Sequence, residues 1–375
     1  MDVVSREAFG TLVDARIFPA ISVYMPTHRV GPEIQQDPIR LKNLVGRARK
    51  VLVEESDMRG PEADRLLEPI ADLVADSDFW QHQDEGLALF LSVDRLRSFR
   101  LPVSFEEYLA VGDGFHVKQL LEVVNSGERV YVLALSRQRV RLLLATRFEV
   151  DEIDLGEVPT TMSEALQHED LERQLQFHQS GVRGRGSPTA IFHGQGMGKE
   201  TAHRRLERFF RTIDRGVAKV IEPDTPLVLA GVEYLLPIYR TVSRHPEILD
   251  GEIAGSPDGV RDEELRERVW QIAAPFFDKE KDAALSTYAS GAAPTERLIE
   301  GVVRAAREGR VAGLFVDPTV TMWGSVVEGS VVQHETHQPG DRDLLDVSVV
   351  ETWRHGGSVY LGAPEGTVAA AVLRY

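Results

Sequence analysis

"RVYVLALSRQRVRLLLATRFEVDEIDL", residues 129–155, holds three runs rich in Val, Leu and aromatic residues separated by short polar turns. Short apolar runs bounded by turn residues are strand signals, so the stretch predicts a β-meander that opens a new domain. Farther along the chain the period changes. "SGVRGRGSP" (180–188) supplies the Gly, Arg, Ser and Pro of a loop, "TAIFHG" reads as a short strand and Lys199 to Val220 as a helix. "PLVLAGV" (226–232) then reads as a buried strand and "EYLLPIYRTVSRHPEIL" (233–249) as another helix. Strands alternating with helices predict an α/β domain with parallel pairing, here over residues 127–260.

On the amino-terminal side, residues 1–126 predict a further α/β unit. "REAFGTLVDA" and "DPIRLKNLVGRARKVLVEE" have helical spacing, and "AISVYMPTHR", "GLALFLSV", "SFRLPV" and "EYLAVG" read as strands. On the carboxyl-terminal side, residues 261–375 predict a compact α/β/α domain. "DEELRERVWQIAAPFFDKEKDAALSTYA", "TERLIEGVVRAAREG" and "DRDLLDVSVVETWRHGG" are helical, and "RVAGLFVDP", "SVYLGA" and "TVAAAVLRY" are strands.

The chain has 375 residues, 42% of them hydrophobic and 27% charged, which is ordinary for a globular protein. No apolar run approaches the roughly 20 residues of a membrane helix. The start "MDVVSREAFG" lacks the basic and apolar regions of a signal peptide, so the expected location is cytoplasmic, with no membrane partner. The absence of cysteine excludes disulfides, thiolate metal sites and cysteine nucleophiles.

A net charge of −16 argues against a protein that coats nucleic acid with its whole surface, and no DNA partner is expected. One island departs from that charge. Residues 182–219 hold Arg183, Arg185, Lys199, Arg204, Arg205, Arg208, Arg211, Arg215 and Lys219 against only Glu200, Glu207 and Asp214.

Inside the island lies "FHGQGMGKETAHRRLERFFRTID" (192–214). A phosphate loop of the G-x-x-x-x-G-K-[ST] type would need glycine at 193 and a hydroxyl at 200, where this chain has His193 and Glu200. The glycines at 194, 196 and 198 do not make a dinucleotide fingerprint either. The helix is more informative. Leu206, Phe209, Phe210, Ile213 and Val217 recur on one face, and Arg204, Arg208, Arg211 and Arg215 recur roughly 170° away at about 100° per residue. A row of guanidiniums not neutralised by neighbouring acids suits a phosphate backbone, and a solvated face paired with acids elsewhere is the plainer alternative.

A strand, an "HGQG" loop and a long Arg-rich helix resemble the central domain of the archaeo-eukaryotic peptide-chain release factors and of Pelota. The fuller pattern is similar to the bacterial archaeo-eukaryotic release factor-like family. It is carried by "SVYMPTHRVGPEIQQDPIRLKNL" (22–44), "DFWQHQDEGLALFLS" (78–92), "VYVLALSRQRVRLL" (130–143), "PLVLAGVEYL" (226–235), "EIAGSPDG" (252–259) and the tail "HGGSVYLG" and "AAAVLRY". The resemblance implies a ribonuclease H-like central α/β domain and a carboxyl-terminal α/β/α domain resembling kink-turn-binding ribosomal proteins. It also implies action in translation, with the ribosome or tRNA as partner and no cofactor. In release factors a Gly-Gly-Gln loop places a water against the ester of peptidyl-tRNA, and its glycines let backbone donors approach a developing oxyanion. Gly194 and Gln195 match the second Gly and the Gln, whereas His193 stands where the first Gly would be. The catalytic residues so implied are His193, Gly194 and Gln195, and the RNA-binding ones are the cations of the basic island. A non-catalytic, Pelota-like factor is the alternative.

Three further features bear on function. "PTHRVGPEIQQ" (26–36) puts His28 and Arg29 in a loop after a strand, either a ligand loop or an ordinary connector. "QHETHQ" spaces His334 and His337 three apart, where a zinc-protease helix needs four, so it predicts an exposed loop and no metal. Asp94, Asp113, Asp151 and Asp154 form no recognisable two-metal set.

Overall fold

The computed structural model describes residues 4–124, 128–136, 139–156, 158–161, 164, 195–327 and 329–375, without the side chains of 195–202. The chain forms two compact units: Glu128–Lys279 is one, and residues 1–127 together with 280–375 are the other.

The discontinuous unit begins with helix α1 (Arg6–Asp14), whose Ser5 hydroxyl accepts from the Ala8 amide at 3.0 Å as an N-cap. Strand β1 (Ala20–Pro26) is followed by a 3₁₀ turn (Pro32–Gln36) and by α2 (Asp37–Glu54), α3 (Gly60–Ala75) and α4 (Ser77–Gln81). Strands β2 (Gly86–Leu91), β3 (Leu96–Leu101) and β4 (Tyr108–Gly112) complete an antiparallel sheet of order β3-β2-β1-β4 before the short α5 (Leu121–Val124). The period-two alternation of a strand divides β1 between two cores. Ile21, Val23 and Met25 meet Leu41, Leu44, Leu52 and Leu67 of α2 and α3. Ala20 and Tyr24 enter a second core that includes Val302, Val303, Leu344 and Leu345 from the far end of the chain.

The continuous unit is built on β5 (Val130–Leu135), β6 (Val140–Ala145), β7 (Val150–Ile153), the long helix α6 (Gln195–Val220), β8 (Leu227–Gly231), α7 (Leu236–Val242), β9 (Ile248–Ala254) and α8 (Asp262–Phe277). Its sheet order is β7-β6-β5-β8-β9, with β6 antiparallel to both neighbours and the β5–β8 and β8–β9 pairs parallel. This is the ribonuclease H-like arrangement expected of the segment. Tyr131, Leu133 and Leu135 of β5 pack with α6 and α7, whereas Val130, Val132 and Ala134 pack with Leu265, Val269 and Ala273 of α8. Burial on both faces explains the uninterrupted apolar character of β5 and β8.

The chain then returns to the discontinuous unit through α9 (Lys279–Ser290), β10 (Thr295–Glu296), α10 (Ile299–Arg307) and β11 (Val311–Val316). A three-stranded sheet of order β13-β12-β14 combines β12 (Trp323–Val327), β13 (Ser330–Gln333) and β14 (Arg342–Asp343). Helix α11 (Leu344–Arg354), β15 (Ser358–Leu361) and β16 (Ala369–Leu373) end the fold. The second four-stranded sheet, β10-β16-β11-β15, carries α10 and α11 on one face, while Ala284, Leu285 and Tyr288 of α9 cover Phe315, Ala370 and Val372 on the other. The expected α/β/α layering is therefore present.

A buried polar joint ties the two sequence segments of this unit together. The Asp346 carboxylate accepts from the amides of Val117 at 2.7 Å and Lys118 at 2.9 Å, and Lys118 Nζ lies 2.6 Å from Asp343 and donates to the Val320 carbonyl.

The structure departs from the sequence pattern in four places. The stretch 233–249, expected as one helix, is helical only over Leu236–Val242, because the chain turns out at Ser243–Pro246 into edge strand β9. Helix α6 starts at Gln195, four residues before Lys199. Helix α8, expected to open the third segment, packs on the sheet of the continuous unit. The hairpin β12–β13 has no counterpart among the expected strands. The "TAIFHG" strand and the 180–188 loop lie outside the described residues.

Candidate nucleic-acid interface

Helix α6 sits on the sheet through Phe209, Phe210, Ile213 and Val217, all buried, with Phe210 edge-on to Tyr239 of α7 at 5.7 Å between ring centroids. Its close approach depends on Gly216, where an added Cβ would lie 2.3 Å from Val158 Cγ2. Its rotation is fixed by Asp214. That side chain is buried, and its Oδ1 accepts from the Ser243 hydroxyl at 2.9 Å and the Arg244 amide at 3.2 Å, with the Tyr239 hydroxyl 3.5 Å away. Burial, then the Asp214 charge, raises the pKa of the Tyr239 phenol, so the hydroxyl stays protonated as a donor.

The opposite face presents Arg204, Arg205, Arg208, Arg211 and Arg215, all exposed. The row is partly compensated from within. Glu207 accepts from Arg211 at 3.2 Å and lies 3.4 Å from His203 one turn earlier, so at Arg211 the face is paired with an acid of its own helix. Arg215 instead donates to the Arg211 carbonyl at 3.2 Å and the Thr212 hydroxyl at 3.3 Å, both neutral acceptors. Periodicity shows which side chains share a face, not which neighbour each one takes.

Gln195 is the first residue of α6, and amides in the first turn of a helix have no intrahelical acceptor. His193, Gly194, Arg183 and Arg185 lie outside the described residues, and Lys199 is placed on α6 by its backbone alone. Among the described residues no group of three or more His, Asp or Glu could hold a metal, and no helix is long and apolar enough to cross a membrane.

The His28–Arg29 loop is pinned by carboxylates. The fully buried Asp37 accepts from the His28 amide at 3.0 Å and lies 3.0 Å from His28 Nδ1, while Arg40 Nη1 reaches it at 3.2 Å. Arg29 Nε donates to Asp84 at 2.7 Å, and Arg40 Nε to Glu107 at 2.8 Å. The two loop residues therefore come to the same end of the first sheet, each held by an acid. His334 Nδ1 lies 2.8 Å from Asp341, and the His337 ring meets Trp323 edge-on at 4.7 Å, so these histidines face different partners. Sequence reasoning missed Asp214 and Ser243, which dock α6, and Arg244 beside them. The only signal was Pro246, which marks the end of a helix shortly before it.

Residues 129–310, which hold the five-stranded sheet and the long helix with its arginine face, match the model of bacterial archaeo-eukaryotic release factor family 3, in line with the resemblance seen in the sequence. No curated protein matches the chain. Among solved structures, the archaeal translation termination factor aRF1 is similar at 12% identity, with 98% of this chain and 96% of that one covered and a TM-score of 0.25. Dom34 of S. cerevisiae, a translation termination-like factor, is similar at 10% identity over 77% of this chain and 80% of its own, with a TM-score of 0.34. Pelota of Archaeoglobus fulgidus is similar at 13% identity over 77% and 79%, with a TM-score of 0.33.

Proposed function

We propose that the protein is a translation factor that binds tRNA, free or on the ribosome, through the outer face of α6 and hydrolyses the ester of peptidyl-tRNA at the Gly194–Gln195 loop. The observation that carries this reading is the family match over residues 129–310 on the segment whose helix turns its arginine row to solvent. Guanidiniums bind phosphate oxygens in a bidentate fork and fix register without reading sequence, as a factor acting on many tRNAs requires. The place of Gln195 in the first turn of α6 supports the chemistry, because first-turn amides lack an intrahelical acceptor and the helix dipole there favours a developing negative charge. Water is the nucleophile and the tRNA 3′-hydroxyl the leaving group.

The test is release of the acyl group from a model aminoacyl-tRNA. Wild type is expected to release it and Gln195→Ala to lose at least tenfold in rate, whereas undiminished release by the variant ends the hydrolytic reading. A second reading, a non-catalytic rescue factor that docks on ribosomes, is favoured by His193 in place of a glycine. A Cβ at that position narrows the backbone conformations open to the loop. Salt-sensitive co-sedimentation with ribosomes and no release from wild type would select it.

A further inference from the structure

The turn that leaves α7 is tied to α6 beside its arginine face. After Val242 the chain departs from helical geometry, and Asp214 of α6 captures it through the Ser243 hydroxyl at 2.9 Å and the Arg244 amide at 3.2 Å. Asp214 directly precedes Arg215 and follows Arg211 by three residues, so it stands at the border between the buried stripe and the arginine row. Arg244 is thereby seated beside the carboxyl-terminal half of α6. It is exposed, and its guanidinium has no carboxylate partner among the described residues.

The charge around it is uneven along the helix. Arg211 is paired with Glu207, but Arg215 reaches only a carbonyl and a hydroxyl, and Lys219 is exposed with no carboxylate partner among the described residues. Glu222, just past the helix, is itself taken by Arg129 at 2.9 Å. Cations at a helix carboxyl terminus are stabilised by the macrodipole, which accounts for Arg215 and Lys219 without any ligand. The carboxyl terminus of α7 acts in the same way on Arg244, one residue past its C-cap Ser243, and what sets Arg244 apart is that its backbone is tied to a second helix.

We propose that Arg215, Lys219 and Arg244 form a two-element phosphate clamp, and that the RNA backbone is gripped there, at the carboxyl-terminal half of α6. The proposal rests on the RNA-binding reading above and adds to it a residue outside the basic island. Two elements meeting at an angle contact phosphates that a single helical row cannot reach, and Asp214 supplies the rigid link between them.

The test uses the full chain and deacylated bulk tRNA as the probe, with affinity measured across a salt series. Each phosphate contact contributes roughly 0.7 to 0.9 to the slope of log affinity against log salt. Arg244→Gln is expected to weaken binding and to flatten the slope by about one contact, whereas Arg244→Lys, which keeps the charge, retains most of the slope. Arg240→Gln is the control, because that guanidinium is committed to Glu252 and the Leu249 carbonyl, and its slope should match wild type. Wild-type affinity and slope in Arg244→Gln would overturn the clamp while leaving the RNA reading standing. No binding of tRNA by wild type at low salt would overturn both.

Discussion

His116 and Asp346 lie in one buried polar joint and titrate in opposite senses. Burial pushes the His116 imidazole down to about 3, with Asp343 opposing and Lys118 and Arg342 assisting, so it is neutral in the folded protein at every physiological pH. A group whose folded pKa is depressed gives stability above its unfolded value that is lost as pH falls, here from about 6.5 toward about 3. The slope in that window is roughly 1.4 kcal/mol per pH unit for one proton. Burial raises the Asp346 pKa, against Arg342 and the two amides it accepts from, so its contribution is held at acid pH and lost as pH rises through the folded value. Urea unfolding between pH 5 and 8 is expected to show His116→Gln with a flatter acid limb than wild type. Asp346→Asn, which keeps an acceptor for both amides, should match or exceed wild type at pH 8. Asp346→Ala should lose about 1–3 kcal/mol by leaving those donors unmade. An acid limb unchanged in His116→Gln contradicts this account.

At the scale of elements, α6 shows what sequence patterning can and cannot deliver. Its apolar stripe and arginine row were legible because both follow the 3.6-residue period, and the period is a local property of the chain. The pairing of Arg211 with Glu207 was not, since charge partners depend on rotamers rather than on period. Arg244 was invisible as a neighbour of α6 because Asp214, thirty residues earlier, holds its backbone there. Strand β9 was missed for a related reason. "ILDGEIA" is a half-exposed edge strand interrupted by Asp250 and Gly251, and Gly251 is there because a Cβ would lie 2.5 Å from Ile272 Cγ2 of the covering helix. The same contact logic makes a test at α6. Gly216→Ala gains roughly 1 kcal/mol of helix propensity but drives a methyl into Val158, and overpacking costs about 1–3 kcal/mol. Net destabilisation in urea, relieved by adding Val158→Ala, is expected, and a more stable Gly216→Ala would show that α6 does not depend on this approach.

For the whole molecule, the meander at 129–155 and the strands after it were enough to predict an α/β domain with parallel pairing, because buried strands are continuous apolar runs. The sharing of one core between residues 1–127 and 280–375 was not readable, since period and composition mark a buried face without naming what covers it. Function at this scale turns on charge. A chain at −16 is repelled by nucleic acid over most of its surface, so any RNA it holds must be held at a concentrated basic face. The most direct measurement is crosslinking and sequencing of the RNA bound to the wild-type protein and to a variant with Arg208, Arg211 and Arg215 changed to Glu. Recovery of tRNA or ribosomal RNA with wild type, and its loss in the variant, is the expected result. RNA recovered equally from both, or from neither, would contradict the assignment of this face to RNA.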